Sequence, residues 1–327
     1  MNAPTLFDEP INTTPQTAGK VSNGGIFRGL GVALITPFTA EGEIDEDALR
    51  GLIDWHIRSG VDFICLLGTT AETPCLSQEE RHRVKDIVVR QAKGRVPLLM
   101  GCGGNCTKAV IDEIRHTDWK GIDGMLSVCP MYNKPTQEGL YQHFRAIAEA
   151  SPVPVVLYNV PGRTSVNMTA ETTLRLARES KNIIAIKEAS GNMAQIKQIL
   201  AEKPQGFNLL SGDDSLTLQI MQLGGVGAIS VIANALPAET ARLVHFMQNG
   251  RLAEAKLVND ALFELYSLMF IEGNPAGVKA ALAQISQQAP LGLSPVKNKL
   301  RLPLVPVSNN TYELIHQAME RLSKAVV

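Results

Sequence analysis

Lys187 follows the run Ile183-Ile184-Ala185-Ile186, which places an ammonium group at the end of an otherwise apolar segment. Burying that charge is costly. Desolvation disfavours the protonated form and lowers the pKa, leaving a nucleophilic amine able to form an imine with a carbonyl substrate. The competing reading is a lysine that carries its head to solvent or pairs with Glu188, although alternation along a strand sends Glu188 to the opposite face. Tyr158 shares the strand-end layer with Lys187, and a phenol of pKa about 10 can donate and accept a proton without carrying charge at neutral pH. Thr69 and Thr70 offer hydroxyls and backbone N–H groups suited to a small carboxylate; turn residues that cap a loop are the alternative. Arg163, in Pro161-Gly162-Arg163-Thr164, can clamp a carboxylate through two parallel hydrogen bonds, or remain a solvated loop arginine.

These groups need a scaffold that brings distant segments together, and the chain repeats one grammar throughout. Short apolar runs alternate with longer segments of helical periodicity. The runs are Gly31–Pro37, Phe63–Gly68, Pro97–Gly103, Gly124–Pro130, Pro154–Val160, Ile183–Ala189, Phe207–Asp213 and Gly227–Asn234. Between them lie helical patterns such as Asp45–Ser59, Ser77–Lys93 and Thr169–Ser180, and Ser77-Gln78-Glu79-Glu80 offers a capping box. Near-continuous apolar character predicts strands buried on both faces, as in a parallel sheet, either open or closed. Eight units without a dinucleotide fingerprint after the first strand favour an α/β fold, a (β/α)8 TIM barrel with a C-terminal helical extension. Reactive groups of such barrels sit at the carboxyl ends of strands. Those ends are Gly68-Thr69-Thr70, Pro130 with Tyr132 just beyond, Tyr158 leading to Arg163, Lys187, and Ser211-Gly212-Asp213.

The expected organisation is a flexible N-terminal extension at 1–27, a catalytic barrel at 28–236 and a helical domain at 237–327. Residues 1–25 are rich in Pro, Thr, Asn and Gly and bury too little to order themselves. The last segment reads as helices over Pro237–Gln248, Leu252–Phe270, Pro275–Gln287 and Thr311–Lys324.

Composition excludes several classes. Thirty-one basic against 32 acidic residues leave a net charge of −1, so no global field attracts nucleic acid. No apolar run approaches the roughly 18 residues of a membrane span, and no signal peptide is evident, which predicts a cytoplasmic protein. Five cysteines at unpaired spacings read as reduced thiols. Cys102 and Cys106 lack the companions of a metal site, so no metal is expected. The six histidines read as exposed helical residues. Gly101-Cys102-Gly103-Gly104 and Gly224-Gly225-Val226-Gly227 match neither a P-loop nor a Rossmann fingerprint.

Taken together, Gly68-Thr69-Thr70-Ala71-Glu72, Tyr132-Asn133-Lys134-Pro135, Tyr158-Asn159-Val160-Pro161-Gly162-Arg163-Thr164, Ile186-Lys187-Glu188-Ala189 and Leu210-Ser211-Gly212-Asp213-Asp214 resemble the dihydrodipicolinate synthase family of pyruvate-dependent class I aldolases. The resemblance runs from about Gly29 to the C-terminus. It implies a lyase that condenses pyruvate with L-aspartate 4-semialdehyde to 4-hydroxy-tetrahydrodipicolinate, on the diaminopimelate route to lysine, with no metal or organic cofactor. It implies Lys187 as the Schiff-base residue, with Tyr158, Thr69 and Tyr132 as a proton relay in which Tyr132 reaches in from a neighbouring subunit. Thr70 would hold the pyruvate carboxylate and Arg163 that of the semialdehyde, while Gly212 and the Ile229 carbonyl would line the pocket. A homotetramer, a dimer of dimers, is implied too.

The sequence departs from lysine-inhibited members at Pro74, Gln78, Arg81, Ala109 and Met131. Without a carboxylate at Ala109 the inhibitor's ammonium is unpaired, so weak or absent lysine inhibition is expected. Met131 also removes aromatic stacking across the interface, and Gly273-Asn274-Pro275 replaces a commoner Pro-Asn-Pro. Two rival readings stand beside this one. Other pyruvate-dependent aldolases or lyases acting on keto-deoxy sugar acids share the lysine and tyrosine, but Arg163 and the double threonine favour the synthase. A non-catalytic ligand-binding barrel would usually have lost Lys187 or Tyr158.

Overall fold

The computed structural model describes residues 25–287 and 295–325. Its strands are β1 (Gly29–Ala33), β2 (Phe63–Leu66), β3 (Leu98–Gly101), β4 (Gly124–Val128), β5 (Val155–Asn159), β6 (Ile183–Glu188), β7 (Asn208–Ser211) and β8 (Gly227–Ser230). They close in that order into a barrel, with helices between successive strands, so the (β/α)8 TIM barrel is the observed architecture. The near-continuous apolar runs are the reason: a parallel strand covered by helices outside and by side chains inside has no wet face. All five residues of β5 are buried, as are five of the six in β6.

The chain groups into two compact units, one holding Gly29–Val96 together with the segment from Ser230 onward, the other Pro97–Ile229. In the first, β1 and β2 run parallel, Gly31 pairing with Phe63. Gly31 is required there because an added Cβ would lie 2.3 Å from the Phe63 ring. The helix Glu46–Arg58 starts where the Asp45 carboxylate accepts the Ala48 N–H. It packs against Gln78–Ala92, which opens with the expected capping box of Ser77 and Glu80. Helices Pro237–Gln248, Leu252–Leu268, Ala276–Gln287 and Asn309–Ala325 follow, the first packing on β1.

The second unit holds β3 to β8 and an apolar layer between strands and helices built from residues such as Met125, Phe144, Leu157, Ile186 and Ile196. Of the expected N-terminal extension, residues 1–24 lie outside the described residues. Phe27 is buried, its ring filling the space where a Cβ on Gly124 would come within 2.4 Å.

Two boundaries shift. The run predicted at Gly31–Pro37 pairs as a strand only over Gly29–Ala33, because the Ile35 N–H leaves the ladder for the Asn234 side chain at 3.0 Å. The run predicted to Asn234 ends at Ser230, whose hydroxyl accepts the Ala233 N–H and starts a 3₁₀ turn. The expectation of exposed histidines fails at two positions. His56 is wholly buried, its Nε2 3.1 Å from the Asn234 carbonyl, and His143 is buried with Nδ1 2.8 Å from the Thr107 hydroxyl. Burial disfavours the cation and pushes each pKa down to about 4. No described helix is long and apolar enough to cross a membrane, and none of the five cysteines is in a disulfide.

Candidate active site

In the second unit the parallel register of β5 and β6 sets Tyr158 opposite Lys187 and Asn159 opposite Glu188. Because side chains alternate along a strand, the first pair faces one side of the sheet and the second the other. Lys187 is only 5% exposed, and its Nζ stands 4.4 Å from the Tyr158 ring centroid. No carboxylate within ion-pair distance of Lys187 is found among the described residues. The aromatic face stabilises an ammonium without neutralising it.

Gly212, just beyond β7, has a sharper role than pocket lining. A Cβ there would lie 3.0 Å from Cγ and Cε of Lys187 and 2.8 Å from the Ala189 Cβ. The missing side chain is thus the room in which the lysine stem lies. Ile229 is buried in β8.

Behind the strands Glu188 is fully buried. Its carboxylate accepts from Asn159 Nδ2 at 3.2 Å to each oxygen, from Gln195 Nε2 at 3.2 Å and from the Ser190 N–H at 2.8 Å. Burial pushes its pKa up against the pull of these donors. Asn159 also accepts the Met168 N–H at 3.0 Å and donates to Asn167 at 2.8 Å. That fixes the far end of the loop carrying Arg163. Arg163 is exposed on the single helical turn Pro161–Thr164, which Thr164 anchors by donating to the Val160 and Val166 carbonyls.

Tyr132 is 88% exposed, on a turn where Tyr132 and Lys134 both have left-handed backbone, φ 73° and 45°. Asn133 secures this turn by donating to the Asn105 carbonyl at 2.8 Å. An aromatic residue presented almost wholly to solvent on a strained backbone makes little contact within its own chain.

In the first unit Thr69 and Thr70 occupy a 3₁₀ turn, Thr69–Ala71, beyond β2. Thr70 is buried and its Oγ1 accepts from Asn274 Nδ2 at 3.0 Å. Thr36 donates to the Ala71 carbonyl and Thr73 to that of Gly68, at 2.8 and 2.9 Å. The next residue, Glu72, has φ 56° and pairs with Lys279, both side chains being fully buried. Glu72 also accepts the Arg301 N–H at 3.0 Å, and Lys279 donates to the Lys299 carbonyl at 2.9 Å. Burial pushes the Lys279 pKa down to about 8 against the opposing pull of Glu72.

Sequence reasoning placed Glu188 on the face opposite Lys187, as observed, but gave no role to Glu188, Asn159, Glu72 or Lys279. Lys279 had a signal. It sits in Ala276-Gly277-Val278-Lys279-Ala280-Ala281-Leu282, as apolar a setting as that of Lys187.

Comparison with known proteins shows which family the chain resembles. The model of the dihydrodipicolinate synthetase family matches residues 26–322. A 4-hydroxy-tetrahydrodipicolinate synthase of Phocaeicola vulgatus is 51% identical over 295 residues, 90% of this chain and 97% of that protein. The chloride-inhibited dihydrodipicolinate synthase of Acinetobacter baumannii, solved with pyruvate, superposes with a TM-score of 0.85 at 37% identity, covering 91% of this chain and 99% of that one. A Cyanidioschyzon merolae enzyme, solved with lysine bound, gives 0.84 at 36% identity, over 92% and 99% of the two chains.

Proposed function

The chain belongs to the dihydrodipicolinate synthetase family and catalyses the 4-hydroxy-tetrahydrodipicolinate synthase reaction, a lyase chemistry; on that premise we propose that Lys187 is the amine that forms the Schiff base with pyruvate. The observation that carries this is the buried Lys187 Nζ against the Tyr158 ring, with no carboxylate among the described residues to hold it. Attack of the neutral amine on the pyruvate keto carbon gives a carbinolamine, which loses water to form an iminium. Loss of a methyl proton yields the enamine, whose carbon adds to the aldehyde of L-aspartate 4-semialdehyde. The substrate's own amine then displaces Lys187 and closes the ring, returning the enzyme.

Tyr158, with Thr69 and Tyr132, relays the protons of these steps. Thr70 holds the pyruvate carboxylate: its oxygen already accepts from Asn274, which leaves its own proton to donate. Arg163, exposed on its anchored turn, takes the carboxylate of the semialdehyde. Gly212 keeps the lysine channel open, and the Ile229 carbonyl lines the pocket. The exposure of Tyr132 supports a homo-oligomer, a dimer of dimers, in which this ring completes a neighbour's site. Five cysteines without a disulfide suit a cytoplasmic enzyme.

The test is borohydride trapping with pyruvate followed by peptide mapping, alongside a coupled assay that follows NADPH consumption by the next reaction. Wild type should label at Lys187 and turn over both substrates, and Lys187→Ala should lose both properties by ~10³-fold or more. Labelling without condensation of the semialdehyde would point to a keto-deoxy sugar acid aldolase, and no labelling to a binding protein. Lysine should inhibit weakly or not at all, since Ala109 is exposed and offers no carboxylate, and Pro74, Gln78, Arg81 and Met131 supply no acid either. A lysine titration that drove the coupled rate to near zero would contradict this.

A further inference from the structure

Resting on the assignment of Lys187 as the Schiff-base amine, we propose that Glu188 is its positioning residue, acting with Asn159 as a clasp on the far side of β5 and β6. The two residues that follow Tyr158 and Lys187 in the chain are themselves cross-strand partners. Asn159 Nδ2 lies 3.2 Å from both carboxylate oxygens of Glu188, so front pair and back pair share one stretch of backbone. Any slip or splaying of the two strands that moved Lys187 away from Tyr158 would also break the clasp.

The chemical nature of the clasp supports a positioning role. A carboxylate buried this completely is costly unless its oxygens are satisfied. Here the donors the structure gives it are uncharged: Asn159, Gln195 and both the N–H and the side chain of Ser190. A side chain retained only for stability at this depth would be an apolar residue packed like its neighbours in the surrounding layer. What the carboxylate adds is direction. Two oxygens facing one amide fix the rotation of β6 about its axis, and hence the line along which the Lys187 stem leaves the strand.

The clasp reaches a second group. Asn159 Oδ1 accepts the Met168 N–H, so the same amide that grips Glu188 ties down the loop bearing Arg163. One network thus sets both the nucleophile and the residue assigned to the second substrate.

The experiment measures the rate of imine formation with pyruvate, at saturation and as a function of pyruvate, in the full-length oligomer well below each variant's unfolding midpoint. Glu188→Gln places an NH₂ against the amide donors and should slow imine formation ~10–100-fold, the usual cost of displacing a reacting group by a fraction of an ångström to one ångström. The half-saturating pyruvate concentration should move little, because Thr70 is untouched. The exchanged pair Asn159→Asp with Glu188→Gln restores one carboxylate facing one carboxamide and should recover most of the rate. Gln195→Ala removes a donor while leaving the clasp, and should stay within ~3-fold of wild type.

If Glu188→Gln does not fold, Asn159→Ala takes its place with the same expected loss. The proposal is overturned if the variants form the imine at the wild-type rate per folded molecule, or if Gln195→Ala costs as much as Glu188→Gln, which would make the network structural only. Failure of wild type to form an imine would instead overturn the assignment of Lys187.

Discussion

Of the three lysines buried among the described residues, two meet contrasting surroundings. Lys279 and Lys187 both interrupt apolar runs and both are almost wholly withdrawn from water. Lys279 meets a carboxylate, a backbone carbonyl and the Phe38 ring, 4.2 Å away. Lys187 meets an aromatic ring and the bare backbone of Gly212. The acids mirror this difference: Glu72 is answered by a cation, while Glu188, next in sequence to Lys187, turns to the other face and is answered by amides. Burial of a lysine therefore says nothing about its role until its partner is known. A lysine neutralised by a carboxylate braces structure, whereas one that faces a ring has no counter-ion to hold it, as the role proposed for Lys187 requires.

The comparison breaks most visibly by removing the brace. Lys279→Met leaves Glu72 buried without a counter-ion and should cost about 3–5 kcal/mol in denaturant unfolding. The double change with Glu72→Gln should recover much of that loss. If single and double variants were equally destabilised, the ion pair would not be what holds the Thr69–Thr70 turn.

Acidification sharpens the contrast, since each unit also hides one histidine. The unfolded value is 6.5 and the folded value about 4 for both His56 and His143. The unfolded chain binds more protons between these values, so stability is full above pH 6.5 and falls as pH drops toward 4. The loss should be about 3 kcal/mol for each histidine. A pH series of unfolding midpoints for wild type and His56→Gln should show a shallower acid limb in the variant.

The smallest effect probes the other lysine. Gly212→Ala pushes a methyl against Lys187 and Ala189 at a cost of ~1–3 kcal/mol, and it should slow imine formation more than it shifts thermal stability. The reverse order would show that Gly212 serves packing alone.

The scaffold was legible because parallel strands covered on both faces write themselves as continuous apolar runs, and helices carry caps such as Ser77 and Glu80. Boundaries were not legible where a side chain competes with the ladder, as Asn234 does for Ile35. Lys187, Tyr158 and Gly212 stand together in the structure as the motifs suggested. The clasp of Asn159 and Glu188 was hidden because register between two strands is not a property of either alone. His56 and His143 were misread since a polar residue on a helix looks the same whether its face meets water or another element. Lys279 was overlooked because its partner lies 207 positions away.

That separation also orders events during synthesis. The Thr69–Thr70 turn leaves the ribosome early, but the amine that neutralises Glu72 and the amide that meets Thr70 emerge only with the helix Ala276–Gln287 and the residues just before it. Until then the nascent chain carries an acid that has every reason to stay in water, which holds the β2 end open. The Thr69–Thr70 turn is therefore finished late in translation. A chain halted short of residue 274 already contains Lys187, the lysine proposed to form the Schiff base, but lacks the residues that set the Thr69–Thr70 turn.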